Sequence, residues 1–445
     1  MPDPRLHRGS DHPVAATDPA ARYAELLLTK ASLHTDSASA QRDFAQRTVA
    51  QLAAAAVVAD DWARSGLMPL CGHRDGPPLR AQHAIPTCAR GALDALRQIT
   101  GVDVLPGVDG ATLLSERAAY HGWPRRGQTS VNGHCHLLPS ADGWVALNLA
   151  RDEDIEVLPA LFAPVADVRE REQLVSGESA VVRSCVARMH TQDLLQRGRL
   201  FGLALGAPPT VEFLHTAGWQ QQLCIGAHRP RRADERPKVL DLSALWAGPL
   251  CTHLLAAAGA AVCKVESATR PDASRSGLPA FYTLLNAGKS KRVLDFGSAD
   301  GIEALRGMIA SVDIVIEGAR PRALHALGID AKSCVEQQPG LLWLRITGHG
   351  STDDRADWVA FGDDAAIAGG AAITAKDGPL FCGDALADPL TGLHAAVAAW
   401  HYWQDGHAAL IDVSLAGVTG WCVQFARDLP CLDVPASAVC APKRR

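Results

Sequence analysis

The sequence predicts an α/β fold: a Rossmann-like parallel sheet with helices on both faces, and beside it a smaller α+β domain. Two observations predict the parallel sheet. After residue 237, short apolar segments recur without alternating polarity, as expected for strands that are buried on both faces. Segments with helical spacing of apolar residues separate them, and this alternation is typical of βαβ units. The length of 445 residues leaves room for two or three domains.

Taken in order, the predicted elements of the C-terminal half are strands separated by helices. The strands are residues 239–241, 261–265, 293–294, 314–316 and 341–346. The helices are residues 250–258, 301–310 and 322–327, with a further one from Pro389 to Trp400. In the N-terminal half, the pattern predicts a helix at 41–59 and a strand at 143–149.

Charge and composition argue against several classes of protein. Lys and Arg number 43 against 48 Asp and Glu, and the net charge of −5 predicts neither a nucleic-acid partner nor a membrane partner. The N-terminal residues are polar and interrupted by proline, and no apolar stretch approaches the roughly 18 residues of a spanning helix. A cytoplasmic location is therefore predicted. The 12 cysteines lack any CxxC pair, which is typical of reduced and mostly buried thiols.

The sharpest local signal is at residues 387–393, with the sequence ADPLTGL. An Asp before a Pro, followed by an apolar run, predicts that Asp388 caps a helix whose first residue is Pro389. A purely structural cap is one interpretation. A nucleophile is the other, because backbone N–H groups and the helix dipole would lower the pKa of a capping carboxyl and keep it ionised.

Basic residues cluster in segments that the pattern places in loops after strands. They are Arg270, Arg275, Lys289, Lys291, Arg292, Arg320 and Arg322. Loops at the carboxyl ends of parallel strands form the ligand crevice of an open sheet, so these residues suit a polyanion such as a nucleotide pyrophosphate. A solvated surface is the alternative for any one of them. No GxGxxG follows the first strand, and no P-loop motif occurs.

Histidines at 134 and 136 flank Cys135, but no further His or Cys lies at the spacing of metal ligands. No metal site is predicted.

Several motifs in a fixed order resemble family III CoA-transferases, the CaiB/BaiF group, which includes formyl-CoA and carnitine CoA-transferases and α-methylacyl-CoA racemase. The motifs are VLDLSALWAGPL, GAAVCKVES, LLNAGKSKRVLDF, DIVIEGARPRALHALG, LRITGHG, DALADPLTGLHAA and IDVSLAG. The resemblance implies a Rossmann-like domain that binds CoA, with Asp388 of the D-x-x-x-G motif as the nucleophile and Gly392 completing the motif.

The resemblance also implies a CoA site. The residues predicted to line it are Leu245, Trp246, Ala247, Arg270, Lys289, Ser290, Lys291, Gly318, Ala319 and Arg320. Two positions depart from the family. In the family an Arg often follows the Glu at the end of the second strand, but here Ser267 follows Glu266, and Arg270 is the candidate substitute for that Arg. Gly318-Ala319 occupies the position where the family has Asn-Phe.

The N-terminal half resembles the family in a displaced order. Residues 61–91 are similar to residues 364–392 at an offset near 301, which places Thr87 at the position of Asp388. Chance similarity between Ala- and Gly-rich segments is the alternative. Residues 127–154 resemble the start of the family's small domain. The predicted organisation is a degenerate partial repeat at 1–120, the small domain at 121–227, a linker at 228–237, the CoA-binding domain at 238–430 and a tail at 431–445.

Together these features predict a CoA-transferase that moves CoA from an acyl-CoA donor to a carboxylic acid through an aspartyl-CoA thioester. The predicted partners are the acyl-CoA and the carboxylic acid, so CoA is a substrate rather than a tightly bound cofactor. The resemblance also implies a homodimer. Two alternatives stay open. One is an α-methylacyl-CoA racemase, although residues 359–370 lack the His that family racemases carry. The other is a non-catalytic CoA-binding subunit.

Overall fold

The structure, a computed structural model, describes residues 18–31, 44–216 and 218–427. Its N-terminal part consists of α1 (Pro19–Ala31), α2 (Phe44–Arg64), α3 (Ile85–Thr100) and α4 (Glu116–His121). The first residues of the predicted helix 41–59 and the predicted tail 431–445 lie outside the described residues. Within the described part, no helix is both long enough and apolar enough to cross a membrane.

A small antiparallel sheet with short helices follows. The strands are β1 (Cys135–Pro139), β2 (Trp144–Asn148) and β3 (Ala204–Gly206), with β2 in the middle. The helices are α5 (Asp152–Glu156), α6 (Leu158–Leu161), α7 (Val168–Leu174), α8 (Ser179–Ala187), α9 (Thr191–Leu200) and α10 (Val211–Thr216). Side chains such as Val145, Leu158 and Leu205 form a separate hydrophobic core here. This is the smaller α+β domain that the sequence predicts.

A larger sheet of seven strands occupies the C-terminal half. The remaining strands of the chain are β4 (Gln221–His228), β5 (Lys238–Leu242), β6 (Ala261–Ser267), β7 (Ser290–Leu294), β8 (Ile314–Glu317), β9 (Leu342–Thr347), β10 (Ile373–Ala375), β11 (Gly378–Leu380) and β12 (His407–Ser414). The order in the large sheet is β4-β12-β9-β8-β5-β6-β7, and every pair is parallel except β4 with β12. β10 and β11 form a separate antiparallel pair.

Helices cover both faces of the large sheet. They are α11 (Ala247–Ala257), α12 (Ser274–Gly277), α13 (Pro279–Leu285), α14 (Ala299–Ala310), α15 (Pro321–His325), α16 (Ala331–Gln337), α17 (Gly362–Ala368), α18 (Ala387–Asp405) and α19 (Leu415–Arg427). Along β9, Leu342 and Leu344 belong to one core and Trp343 to the other, because successive strand residues point to opposite faces. The predicted fold class is confirmed.

The N-terminal helices are not separate from the large sheet. Trp62 and Leu93 belong to the same hydrophobic core as Leu254 and Leu393, and α3 packs directly on α18. The region predicted as a partial repeat therefore covers part of the C-terminal domain.

One packing arrangement occurs twice. A Cβ on Gly392 of α18 would lie 2.7 Å from the backbone oxygen of Ala247 in α11. A Cβ on Gly91 of α3 would lie 2.5 Å from the backbone oxygen of Ala20 in α1. Both helix pairs therefore require glycine for their close approach. This similarity supports the predicted repeat, which stays a prediction.

Three strands of the large sheet differ from the sequence-based expectation, which contains no strand at the positions of β4 and β12. β4, which the sequence assigns to the small domain, lies at the edge of the large sheet. β7 begins at Ser290 rather than at 293, so Lys291 and Arg292 lie within an edge strand and not in a loop after one. Charged side chains are common on edge strands, where they oppose pairing with another chain. The first three residues of β7, Ser290, Lys291 and Arg292, are polar, so the apolar pattern predicts only residues 293–294.

Candidate active site

The loops after β5 and β8 meet at the carboxyl edge of the large sheet. β5 pairs with β6 on one side and with β8 on the other, so the chain order reverses at this point. A Cβ on Gly318 would lie 3.1 Å from the Cβ of Ser243, which places the two loops in contact. Open α/β sheets bind ligands at such switch points. The predicted residues Leu245–Ala247 and Gly318–Arg320 are thus brought together.

Backbone strain is concentrated next to this edge. Leu245 has a φ of 68°, and its amide donates to Asp272 Oδ1 at 3.1 Å. Ala385, which comes shortly before α18, has a φ of 41°. Among the described residues only four other than glycine have a positive φ, and these are two of them. Strain of this kind is retained where the surrounding structure imposes it, often at functional sites.

Arg320 lies among several positive charges at the same edge. Its pKa is lowered by burial and then by Arg322, Arg151 and Arg270. Arg322 is paired with Asp357 at 3.4 Å. Neither Arg320 nor Arg270 has an ion pair with any described residue. Guanidinium groups without a carboxylate partner, placed around a crevice, suit phosphate groups.

Lys289 lies beneath these loops rather than in the crevice. Its side chain is buried, and its Nζ donates to Asp241 at 3.1 Å and to the Thr252 hydroxyl at 2.7 Å. The Pro249 carbonyl and the Asn286 side chain also lie within 2.9 and 3.0 Å of Nζ. An ammonium has three N–H donors, so this environment satisfies it completely. The predicted contact of Lys289 with CoA stays a prediction without support from this geometry.

Ser290 and Lys291 are exposed on the outermost strand, β7, which β6 separates from β5. The Lys291 ammonium lies 5.0 Å from the centroid of the Tyr282 ring. The structure does not bring these two predicted residues to the switch point, and their role also stays a prediction.

Asp388 lies in the first turn of α18 and is not its cap, so that prediction is wrong. The helix begins at Ala387, and Leu386 before it already has helical dihedral angles. The Asp388 amide donates to the Ala385 carbonyl at 2.8 Å, which extends the turn backwards. The carboxylate therefore faces another element, where it lies close to the Gly362 backbone of α17, whose N–H lowers its pKa. A Cβ on Gly362 would lie 2.5 Å from Asp388 Oδ2, so this contact requires glycine.

Three more carboxylates surround Asp388. Asp363, Asp364 and Asp384 are buried, whereas Asp388 keeps partial solvent exposure. Burial raises the pKa of Asp388 to about 7, Arg117 opposes this rise, and the negative charges of Asp363 and Asp384 add to it. The sequence-based expectation of a lowered pKa is therefore wrong. Burial also raises the pKa of Asp363 to about 6 and that of Asp364 to about 8.

Arg117 of the N-terminal region is the cation of this site. Its Nη2 and Nε lie 2.6 and 2.8 Å from the two carboxylate oxygens of Asp384, a bidentate pair. The guanidinium carbon is also 4.8 Å from the centroid of the Trp246 ring. Arg117 thereby connects a loop of the switch point with the residues before Asp388.

The small domain also contributes to this site, through two asparagines. Asn132 Nδ2 donates to Asp363 Oδ2 at 2.8 Å, and Asn148 Nδ2 donates to Asp364 Oδ1 at 3.0 Å. Asp363 further accepts from the amide of the strained Ala385 at 2.8 Å. The beginning of α17 is therefore held between the small domain and the segment that carries Asp388.

Sequence reasoning missed Arg117, Asn132 and Asn148, because each lies more than 200 positions from its partner and no local motif marks it. The sequence could have indicated Asp384, because it lies four positions before Asp388 in the same motif. His134 and His136 form no metal cluster, and the described residues contain no group of three or more potential ligands for one.

Residues 236–427 match the family model of CoA-transferase family III. The resemblance carried by the motifs is confirmed for this part of the chain. The chain is 30% identical over 205 residues to succinyl-CoA–D-citramalate CoA-transferase of Chloroflexus aurantiacus, covering 43% of this chain and 51% of the relative. It is 31% identical over 211 residues to formyl-CoA:oxalate CoA-transferase of Escherichia coli O6:H1, covering 44% and 51%.

The chain thus spans about half the length of the curated family III relatives that it matches. Among solved structures, it is 28% identical to a CAIB/BAIF family protein from Brucella suis, covering 41% of this chain and 53% of the other, with a TM-score of 0.38. It is 24% identical to a hypothetical protein from Mycobacterium tuberculosis, covering 43% and 57%, with a TM-score of 0.39.

Proposed function

We propose that this protein transfers CoA from an acyl-CoA donor to a carboxylic acid, with Asp388 as the nucleophile. The observation that carries the proposal is the position of Asp388. Of the four clustered carboxylates it alone keeps solvent exposure, and its helix packs through Gly392 against the start of α11 at the switch point. A reacting group at that place is close to the crevice where an open α/β sheet holds its ligand.

The transfer proceeds by four nucleophilic displacements. A carboxylate oxygen of Asp388 attacks the donor thioester carbonyl, the C–S bond breaks, and a mixed anhydride and CoA thiolate form. The thiolate attacks the aspartyl carbonyl of the anhydride, which releases the donor acid and leaves an aspartyl-CoA thioester. The acceptor carboxylate attacks this thioester and releases the thiolate again. The thiolate then takes the acceptor acyl group and regenerates the Asp388 carboxylate, with no net proton transfer.

The residues at the carboxyl edge support the binding of CoA as a substrate. Arg320 and Arg270 lie without carboxylate partners where the loops after β5, β6 and β8 converge. Phosphate oxygens of CoA would supply the missing negative charge. The proposal needs no resident cofactor. The predicted homodimer and cytoplasmic location stay predictions.

Trapping the covalent intermediate tests the proposal. Incubation of the full chain with an acyl-CoA and hydroxylamine is expected to convert Asp388 into a hydroxamate, which peptide mass spectrometry locates. Asp388→Ala is expected to abolish transfer and to keep CoA binding. Asp405→Asn, at the exposed other end of α18, is the matched control and keeps full activity. Full transfer by Asp388→Ala would sink the proposal.

One observation favours a second candidate, proton exchange at the carbon α to a thioester. The pKa of Asp388 is raised to about 7, which suits a general acid or base at neutral pH. Exchange with inversion requires two groups on opposite faces of the carbon, and the neighbouring Asp363 and Asp364 are buried. Deuterium uptake at the α-carbon from D2O, without any hydroxamate, would favour this candidate over transfer.

A further inference from the structure

A large cavity lies between the small domain and the end of the large sheet. Its volume is about 980 Å³. Trp144, Leu195 and Arg199 contribute from the small domain, and His349 and Trp358 contribute from the segment that follows β9. Cavities of roughly 300–1,000 Å³ at domain boundaries are typical binding sites for small organic molecules.

The cavity contains an uncompensated positive charge. The guanidinium of Arg199 lies flat on Trp358, with 3.4 Å between its central carbon and the ring centroid. Its Nε is buried without a hydrogen-bond partner, and no described carboxylate forms an ion pair with it. Burial lowers the pKa of Arg199 to about 10. A half-buried cation with no anion is unfavourable unless a ligand supplies the negative charge.

His349 provides a second polar group at the same wall. Its Nε2 is buried and has no hydrogen-bond partner, and its ring meets Trp358 edge-on with 5.6 Å between centroids. Burial, together with Arg199 and Arg355, lowers its pKa to about 3, so the ring is neutral at pH 7. A neutral imidazole can donate one N–H to an anion.

The other charged groups of the lining do not neutralise Arg199. Asp412 accepts hydrogen bonds from the Thr347 hydroxyl at 2.7 Å and from the Ser351 amide at 2.6 Å. Asp142 accepts from the amide of Thr191 at 2.8 Å. Arg355, also in the lining, adds positive charge. The remaining walls combine apolar side chains, such as those of Trp144 and Leu195, with polar ones such as that of Gln221, so one side of the cavity suits the apolar body of an anion.

The cavity is separate from Asp388. The two are related through α17, whose first residue, Gly362, contacts Asp388 and whose last residue, Ala368, lines the cavity. At a rise of 1.5 Å per residue, these ends are about 9 Å apart. A carboxylate held at Arg199 is therefore not the one that would react at Asp388.

We propose that this cavity binds a carboxylic acid with an apolar body, whose carboxylate is held by Arg199 and His349. The site goes beyond the proposed transfer chemistry, because it does not involve Asp388. The apolar body of the acid lies against Trp144 and Leu195. The binding of the acid supplies the anion that the Arg199–Trp358 stack lacks.

Thermal unfolding of the full chain tests this site. The probes are 4-phenylbutyrate and octanoate, with 4-phenylbutyramide as the neutral counterpart. At about 100 times Kd an acid is expected to raise the wild-type Tm by roughly 2–5 °C. The amide is expected to have no effect. Arg199→Met is expected to abolish the shift without lowering the Tm of the unliganded protein, since it removes an unpaired charge. Arg232→Met, at a linker arginine that is 80% exposed, is the matched control and keeps the shift.

Other outcomes would overturn the proposal. No shift with either acid, or an equal shift in Arg199→Met, would show that Arg199 holds no carboxylate. A shift given only by adenosine 3′,5′-bisphosphate and dependent on Arg199 would reassign the cavity to the phosphates of CoA. Asp388→Asn should keep the acid-induced shift even though it loses transfer, which separates a failure of this site from a failure of the proposed function.

Discussion

Replacement of Arg117 by Met removes the cation that faces Asp388 and keeps only an apolar chain of about the length of the Arg stem. Two effects follow. Asp384, whose side chain is fully buried, loses both bonds of its bidentate pair. Removing one partner of a buried ion pair typically costs about 3–5 kcal/mol of unfolding free energy. The pKa of Asp388 also rises above its present value of about 7, because the positive charge that opposes burial is gone.

The second effect sets the size of the change in activity. An opposite charge near a carboxyl typically lowers its pKa by about 1–3 units. With a pKa of about 7, half of the Asp388 side chains are ionised at pH 7. A rise of about one unit reduces that share to roughly one tenth, so kcat/KM at pH 7 is expected to fall about fivefold. In the proposed transfer the ionised form of Asp388 is the nucleophile, so activity is expected to return as the pH rises.

The assay is kcat/KM for an acyl-CoA between pH 5.5 and 9, combined with denaturant unfolding at pH 7. The rising limb of the profile should move to higher pH in Arg117→Met and recover in part in Arg117→Lys. Adding Asp384→Asn to Arg117→Met should regain stability, because no unpaired carboxylate is left. A profile that stays at the wild-type position while stability falls would refute the electrostatic role of Arg117.

Four further predictions concern single residues. Gly392→Ala is expected to lower the free energy of unfolding by about 1–3 kcal/mol, because the new Cβ would press on the α11 backbone. Gly307→Ala is the control: its surroundings in α14 are open, so the same denaturant titration should show a free energy of unfolding that is higher by up to about 1 kcal/mol. Asp388→Asn should raise the Tm at pH 8 but not at pH 4. The raised pKa of the Asp388 carboxyl makes folding of the wild type less favourable as the pH rises from about 4 through about 7, and Asn has no such carboxyl. Equal Tm shifts at both pH values would contradict this. Lys289→Met should lower stability by about 3–5 kcal/mol, and a change in the KM for acyl-CoA at unchanged stability would instead indicate direct contact with CoA. Arg320→Gln should raise the KM for acyl-CoA about tenfold at unchanged kcat, and an unaltered KM would remove this residue from the CoA site.

The parts of this molecule that sequence reasoning predicts well are those encoded by neighbouring residues. Five of the seven strands of the large sheet and the nucleophile candidate Asp388 follow from patterns a few residues long, whereas β4 and β12 are not predicted. The local geometry was harder, because an Asp before a Pro caps a helix only if the backbone of the Asp itself is extended. Leu386 is helical, so α18 begins earlier and Asp388 faces Gly362 instead.

The electrostatics of the site depend on pairs that are distant in the chain. The partner of Asp384 is 267 residues away at Arg117, and that of Asp363 is 231 residues away at Asn132. A raised pKa at Asp388 is a property of the assembled cluster, because burial and neighbouring charges exist only after folding. Such contacts leave no spacing rule in a single sequence.

The shared core of the N-terminal helices and the large sheet has a consequence for what counts as a module in this protein. The family-model match begins at residue 236, yet α18, which carries Asp388, is covered by α3, and Arg117 comes from the N-terminal region before that match. A fragment that begins at residue 236 would expose the apolar side of α18 to water, and Asp384 and Asp388 would lose the positive charge of Arg117. The part of the chain that matches the family model is therefore smaller than the part that shares one hydrophobic core.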